Sequence, residues 1–96
     1  MTREEVIRIL SEHRAELGEM GVRSLALFGS VARNEAKPGS DVDLLVEFSQ
    51  PVGLFQFIAL KQYLEALLGS RVDLATARSL KPLLKEHALR EAIYVA

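Results

Sequence analysis

Gly29-Ser30, followed by Asp41 and Asp43, sets a sharp turn ahead of two carboxylates at alternate positions. In a strand, alternate side chains share a face and stand roughly 7 Å apart at about 3.3 Å per residue. Asp41, Asp43 and Glu47 are therefore expected on one face and Val42, Leu44, Val46 and Phe48 on the other. The apolar face belongs against a core. Neighbouring carboxylates repel, and solvent, a basic partner or a divalent cation must offset that cost. Oxygen-only ligands suit magnesium, which typically takes one or two carboxylates together with substrate phosphates. Val72-Asp73-Leu74 echoes Val42-Asp43-Leu44. If the two strands are neighbours, Asp41, Asp43 and Asp73 converge. Such a trio can hold two metal ions about 3.5–4 Å apart for an in-line displacement at phosphorus, with Asp73 also able to take a proton from the attacking hydroxyl.

Gly29 lacks a β-carbon, so the backbone can turn there and approach a ligand closely. Ser30 falls at the start of a short predicted helix, where its hydroxyl and N–H can meet a phosphate or cap the helix. Arg33, one turn on, can reach the same phosphates or lie on the surface. Ser40, in the Pro-Gly loop before the acidic strand, can orient Asp41, touch a triphosphate or close the turn. Each feature alone has an ordinary reading as a turn or a solvated strand face; their combination at this spacing points to a metal-bound nucleoside triphosphate.

The pattern Gly29-Ser30, Asp41, Asp43 and a later Asp73, within Gly29-Ser30-Val31-Ala32-Arg33 and Ser40-Asp41-Val42-Asp43-Leu44-Leu45-Val46, resembles the polymerase β-like nucleotidyltransferase superfamily. It is most similar to the minimal nucleotidyltransferase (MNT) branch, and the resemblance spans nearly the whole chain. Asn34 stands where a glycine commonly follows the arginine. The resemblance implies transfer of AMP from ATP to a hydroxyl with release of pyrophosphate. By the same resemblance Asp41 and Asp43 would bind two magnesium ions, Asp73 would complete one metal site and help deprotonate the acceptor, and Gly29 and Ser30 would hold the triphosphate. It further implies an antitoxin that silences a helical HEPN ribonuclease toxin by attaching AMP to a tyrosine. Transfer to a small hydroxyl compound, and neutralisation of a toxin by binding alone, remain alternatives.

The elements that position these residues follow from local patterns. Thr2 and Glu5 form a capping box, and Val6, Leu10 and Leu17 keep helical spacing to about Gly18 or Gly21. Strands are predicted over about 23–28, 41–48 and 71–75. A helix over about 54–68 is expected to bury Phe55, Ile58, Leu64, Leu67 and Leu68. Pro82 opens a last helix, where its missing N–H costs least; residues 93–95 form a closing strand or end that helix. The expected fold class is α/β (α+β), a small mixed sheet with helices on one face, leaving the other for nucleotide and metal.

Ninety-six residues suffice for one domain, so an acceptor is expected to bring its own surface. Twelve basic and 13 acidic residues leave a net charge of −1, without the basic excess that nucleic-acid backbones demand. Cysteine is absent, excluding disulfides and thiolate-bound zinc and fitting a reducing, cytoplasmic setting. No apolar run approaches the roughly 20 residues needed to cross a bilayer, and no secretory signal is expected.

Overall fold

The computed structural model describes residues 1–37 and 39–95; Pro38, in the predicted Pro-Gly loop, and Ala96 lie outside the described residues. Thr2 caps α1 (Arg3–Glu12): its Oγ1 accepts from the Glu5 N–H at 3.1 Å and donates to the Glu5 carboxylate. The first predicted helix is two. His13 breaks it, its Nδ1–H donating to the Ile9 carbonyl at 2.8 Å, and α2 (Arg14–Glu19) follows. A side chain that bonds the carbonyl one turn back competes with the helical ladder.

Strand β1 (Val22–Phe28) runs into the short helix α3 (Gly29–Ala32), and β2 (Val42–Phe48) returns antiparallel to it. The register slips between Val22 and Ser24. That bulge lets Val22 share the buried face with Leu25 and Leu27 despite the odd spacing. Helix α4 (Leu54–Leu68), ended by left-handed Gly69, carries the chain to β3 (Val72–Thr76), which pairs parallel with β2. Helix α5 (Pro82–Glu91) then leads to β4 (Ile93–Tyr94), antiparallel to β1. The sheet order is β3-β2-β1-β4.

One sheet face carries Leu25, Leu27, Val42, Leu44, Val46, Val72 and Leu74, packed against Val6 and Leu10 of α1, Leu17 of α2, and Leu60, Leu64 and Leu68 of α4. Two residues of α4 differ from expectation: Phe55 is 89% and Ile58 39% exposed. The helix is apolar on nearly every side, so composition does not say which side meets the sheet. The second face is partly covered. Ala26 and Leu45, which point to it, are buried, as is Ala88 of α5, and α5 packs on β1 and α3. What stays open of that face lies around Asp43 of β2 and Asp73 of β3.

Candidate active site

Parallel pairing fixes the site. Val42 stands beside Val72, Asp43 beside Asp73 and Leu44 beside Leu74. The Val42 N–H donates to the Arg71 carbonyl at 2.9 Å, and a Glu65 carboxylate oxygen of α4 accepts the Val72 N–H at 3.0 Å, anchoring the start of β3. The two carboxylates therefore leave adjacent strands on the face away from the core. Asp43 is partly buried and Asp73 exposed. Burial, then the charges of Asp73 and Asp41, push the Asp43 carboxyl up to about 6, while Arg33 opposes the rise.

Asp41 behaves differently. It was expected within the strand but lies just before β2, and its Oδ1 pairs with Arg71 Nε at 3.4 Å. Its charge still acts on Asp43. Sequence reasoning missed Arg71, although the signal was there. Ser40-Asp41-Val42-Asp43-Leu44 and Ser70-Arg71-Val72-Asp73-Leu74 differ at only one position, and the parallel register sets Asp41 opposite Arg71.

Gly29 follows Phe28, the β1 partner of Asp43, and has φ +75°. A β-carbon there would lie 2.9 Å from Asp43 Cγ and overlap its carboxylate oxygen. Only glycine fits both the left-handed backbone and the close approach. Gly29 opens α3 and Ser30 is its second residue, so both lie in the first turn, whose N–H groups have no partner within the helix. Arg3 of α1 holds the other end, donating to the Ala32 carbonyl at 3.2 Å. After Arg33, Asn34 adopts φ +63°, the left-handed conformation a glycine would supply and asparagine tolerates.

Two predicted nucleotide contacts are occupied within the chain. Arg33 donates through Nε to Glu35 at 2.9 Å and through Nη1 to Glu91 at 2.8 Å. Ser40 Oγ accepts the Lys37 N–H at 3.0 Å, and its own N–H donates to the Lys37 carbonyl, which closes the turn ahead of β2. Glu35 and Glu91 carried no sequence signal as partners of Arg33; Glu91 is 58 residues away.

Among the described residues no three Asp, Glu, His or Cys side chains surround a single point. The donor set nonetheless fits magnesium. Asp43 and Asp73 supply oxygen ligands side by side, their mutual repulsion is what a cation relieves, and magnesium needs only one or two carboxylates when phosphates supply the rest.

Comparison with known proteins places the chain in a family. Residues 7–95 match the family described as Nucleotidyltransferase domain. Protein adenylyltransferase MntA of Thermococcus cleftensis is 51% identical over 96 residues, 99% of this chain and 97% of its own. A solved structure described as a minimal nucleotidyltransferase is 42% identical, with a TM-score of 0.83 over 97% of this chain and 95% of its own. A chain from the complex of a tri-AMPylated Shewanella oneidensis HEPN toxin with MNT antitoxin shares the fold at 20% identity, with a TM-score of 0.68 over 94% of this chain and 71% of its own.

Proposed function

This chain belongs to the nucleotidyltransferase domain family, and on that premise we propose that it transfers AMP from ATP to a hydroxyl of a partner protein. The observation that carries the reading is the Asp43–Asp73 pair set against the Gly29 turn. Asp43 and Asp73 would hold magnesium with the triphosphate's own oxygens, Asp41 joining them on leaving Arg71, and the bound ion would neutralise the phosphates and polarise the α-phosphorus. The N–H groups of Gly29 and Ser30 receive the triphosphate end, and Arg33 and Ser40 would join them on leaving their partners within the chain. Asp73, exposed at the sheet edge, accepts the proton of the attacking hydroxyl. The acceptor oxygen bonds to the α-phosphorus, the bond from that phosphorus to the bridging oxygen breaks, and pyrophosphate leaves.

The relative from Thermococcus cleftensis, named for protein adenylylation and matched over nearly its full length, supports a protein acceptor. The complex with a tri-AMPylated HEPN toxin suggests which protein to test first. The reading is therefore an antitoxin acting in the cytoplasm on a HEPN ribonuclease, with a tyrosine hydroxyl as acceptor. No helix among the described residues is long and apolar enough to cross a membrane. Incubating the protein with ATP, magnesium and the HEPN-type protein encoded beside it should add one or more AMP units to that protein and abolish its ribonuclease activity. Asp43→Asn should do neither. Full inhibition of an unmodified partner would instead establish neutralisation by binding.

A further inference from the structure

Strand β3 is an edge of the sheet, paired with β2 on one side and with no strand of the described residues on the other. Along such a strand, successive residues turn their N–H and C=O groups alternately towards the neighbour and away from it. The Arg71 carbonyl accepts the Val42 N–H of β2, so Asp73 and Ala75 face β2 as well, and Val72, Leu74 and Thr76 face outward. Side chains close both ends of that outer edge. The Val72 N–H donates to Glu65 Oε2 of α4 at 3.0 Å, and the Thr76 N–H donates to Ser79 Oγ at 3.0 Å.

Glu65 is itself held in place. Its backbone carbonyl accepts the Gly69 N–H at 2.8 Å where α4 ends, and Leu64 and Leu68 of the same helix are buried in the core. The Asp73 carboxylate, by contrast, is exposed, and Arg71 just ahead of it pairs with Asp41 instead. Its place beside Asp43 is therefore set through the backbone of β3, and the hydrogen bond from Val72 to Glu65 is made at the adjoining residue. Displacing a reacting group by about 1 Å can cost about 100-fold in rate.

We propose that Glu65 is a positioning residue for Asp73: by accepting the Val72 N–H it holds the start of β3 against β2 and so keeps Asp73 beside Asp43. The inference rests on the nucleotidyl-transfer reading above, in which Asp73 takes the proton of the acceptor hydroxyl. Glu65 meets neither ATP nor the acceptor, because α4 packs on the core face of the sheet and Asp73 leaves the opposite face. What it supplies is an acceptor oxygen rather than a charge, so Glu65→Gln keeps the contact that Glu65→Ala removes.

Both substitutions leave a good helix former in α4, so the helix itself is spared. With ATP, magnesium and the HEPN-type protein encoded beside this chain, Glu65→Ala should lower kcat by about tenfold or more while the KM for ATP stays within about twofold, the split expected when a group acting in the transition state is displaced. Glu65→Gln should restore kcat to within about threefold of the wild type. Amide hydrogen exchange reads the clamp directly. The Val72 and Asp73 N–H groups should exchange at least about tenfold faster in Glu65→Ala and near the wild-type rate in Glu65→Gln, with the β1–β2 amides unchanged. Unchanged kcat in Glu65→Ala overturns the proposal, and so does an equal loss in both variants, which would assign the effect to charge. A matching loss of ATP affinity would assign it to general loosening and overturn it too. If the wild type transfers no AMP, the reading of the reaction fails on its own. Exchange then decides whether Glu65 holds the strand that carries Asp73, and equal Val72 and Asp73 rates in all three proteins reject it.

Discussion

Gly29 and Asp43 are fitted to each other: the turn at Gly29 passes so close to the acidic strand that a β-carbon on the glycine would enter the space of the carboxylate. Gly29→Ala must shift Asp43 and also hold alanine at φ +75°, which costs about 1–2 kcal/mol. The variant is expected to fold with a lowered Tm and to lose at least about tenfold in magnesium–ATP affinity, as the turn and the ligand are disturbed together. Calorimetry giving wild-type affinity would separate the turn from the metal ligand.

The raised Asp43 carboxyl makes the site destabilising when no cation is bound. Below about pH 4 the group is protonated in both folded and unfolded chains and contributes nothing. Between about pH 4 and 6 the unfolded chain releases the proton while the folded chain keeps it, so stability falls as pH rises, and above 6 the loss is complete. In metal-free buffer at pH 7.5, Asp43→Asn is expected to melt higher than the wild type, by about 4–8 °C for each kcal/mol of repulsion removed. The difference should shrink towards pH 4. A melting curve in which the wild type is the more stable at pH 7.5 would contradict this.

Asp73 separates chemistry from binding. Asp73→Asn should retain most ATP affinity and lose about 100-fold or more in turnover, because proton removal is needed only in the transition state. Turnover near the wild-type rate would make Asp73 an ordinary strand residue.

On the proposed reading, Arg71 would compete with magnesium for Asp41. Arg71→Gln frees the carboxylate from an exposed pair whose strength is at most about 1 kcal/mol, so the magnesium requirement should fall by roughly two- to fivefold. Titration of activity against magnesium reads the shift, and a higher requirement would mean that the pair positions Asp41 for its task.

Asn34 occupies a left-handed turn, so Asn34→Gly should leave stability within about 0.5 kcal/mol, whereas Asn34→Val should cost at least about 1 kcal/mol. Denaturant midpoints of the two variants provide the comparison.

What the sequence made legible was whatever depends on neighbours along the chain. The alternation around Asp43 and Asp73, the turn at Gly29, the Thr2 cap and the Pro82 helix start all follow from two-residue or one-turn geometry, and the strand and helix bounds differ by no more than a residue or two at most ends. The misplaced details depend on distant partners. Asp41, just ahead of the strand, is paired with Arg71, and Arg33 is taken by Glu91, because an opposite charge waits elsewhere in the chain. Phe55 and Ile58 lie outside because an all-round apolar helix has no intrinsic inner side. His13 ends α1 through its own ring nitrogen, which hydrophobic periodicity does not register.

The parallel pairing of β2 with β3 also dictates when the enzyme can come into being during folding. Two parallel strands cannot be joined by a hairpin; here α4 must form and cross over before Asp73 reaches Asp43. The β1–β2 hairpin-like pair needs no such crossover. A nascent or partly folded chain can therefore possess the Gly29 turn and Asp43 without Asp73 beside them. On the proposed reading, nucleotide capture becomes possible before transfer does, and the chain acquires its reactivity only once β3 has closed on β2.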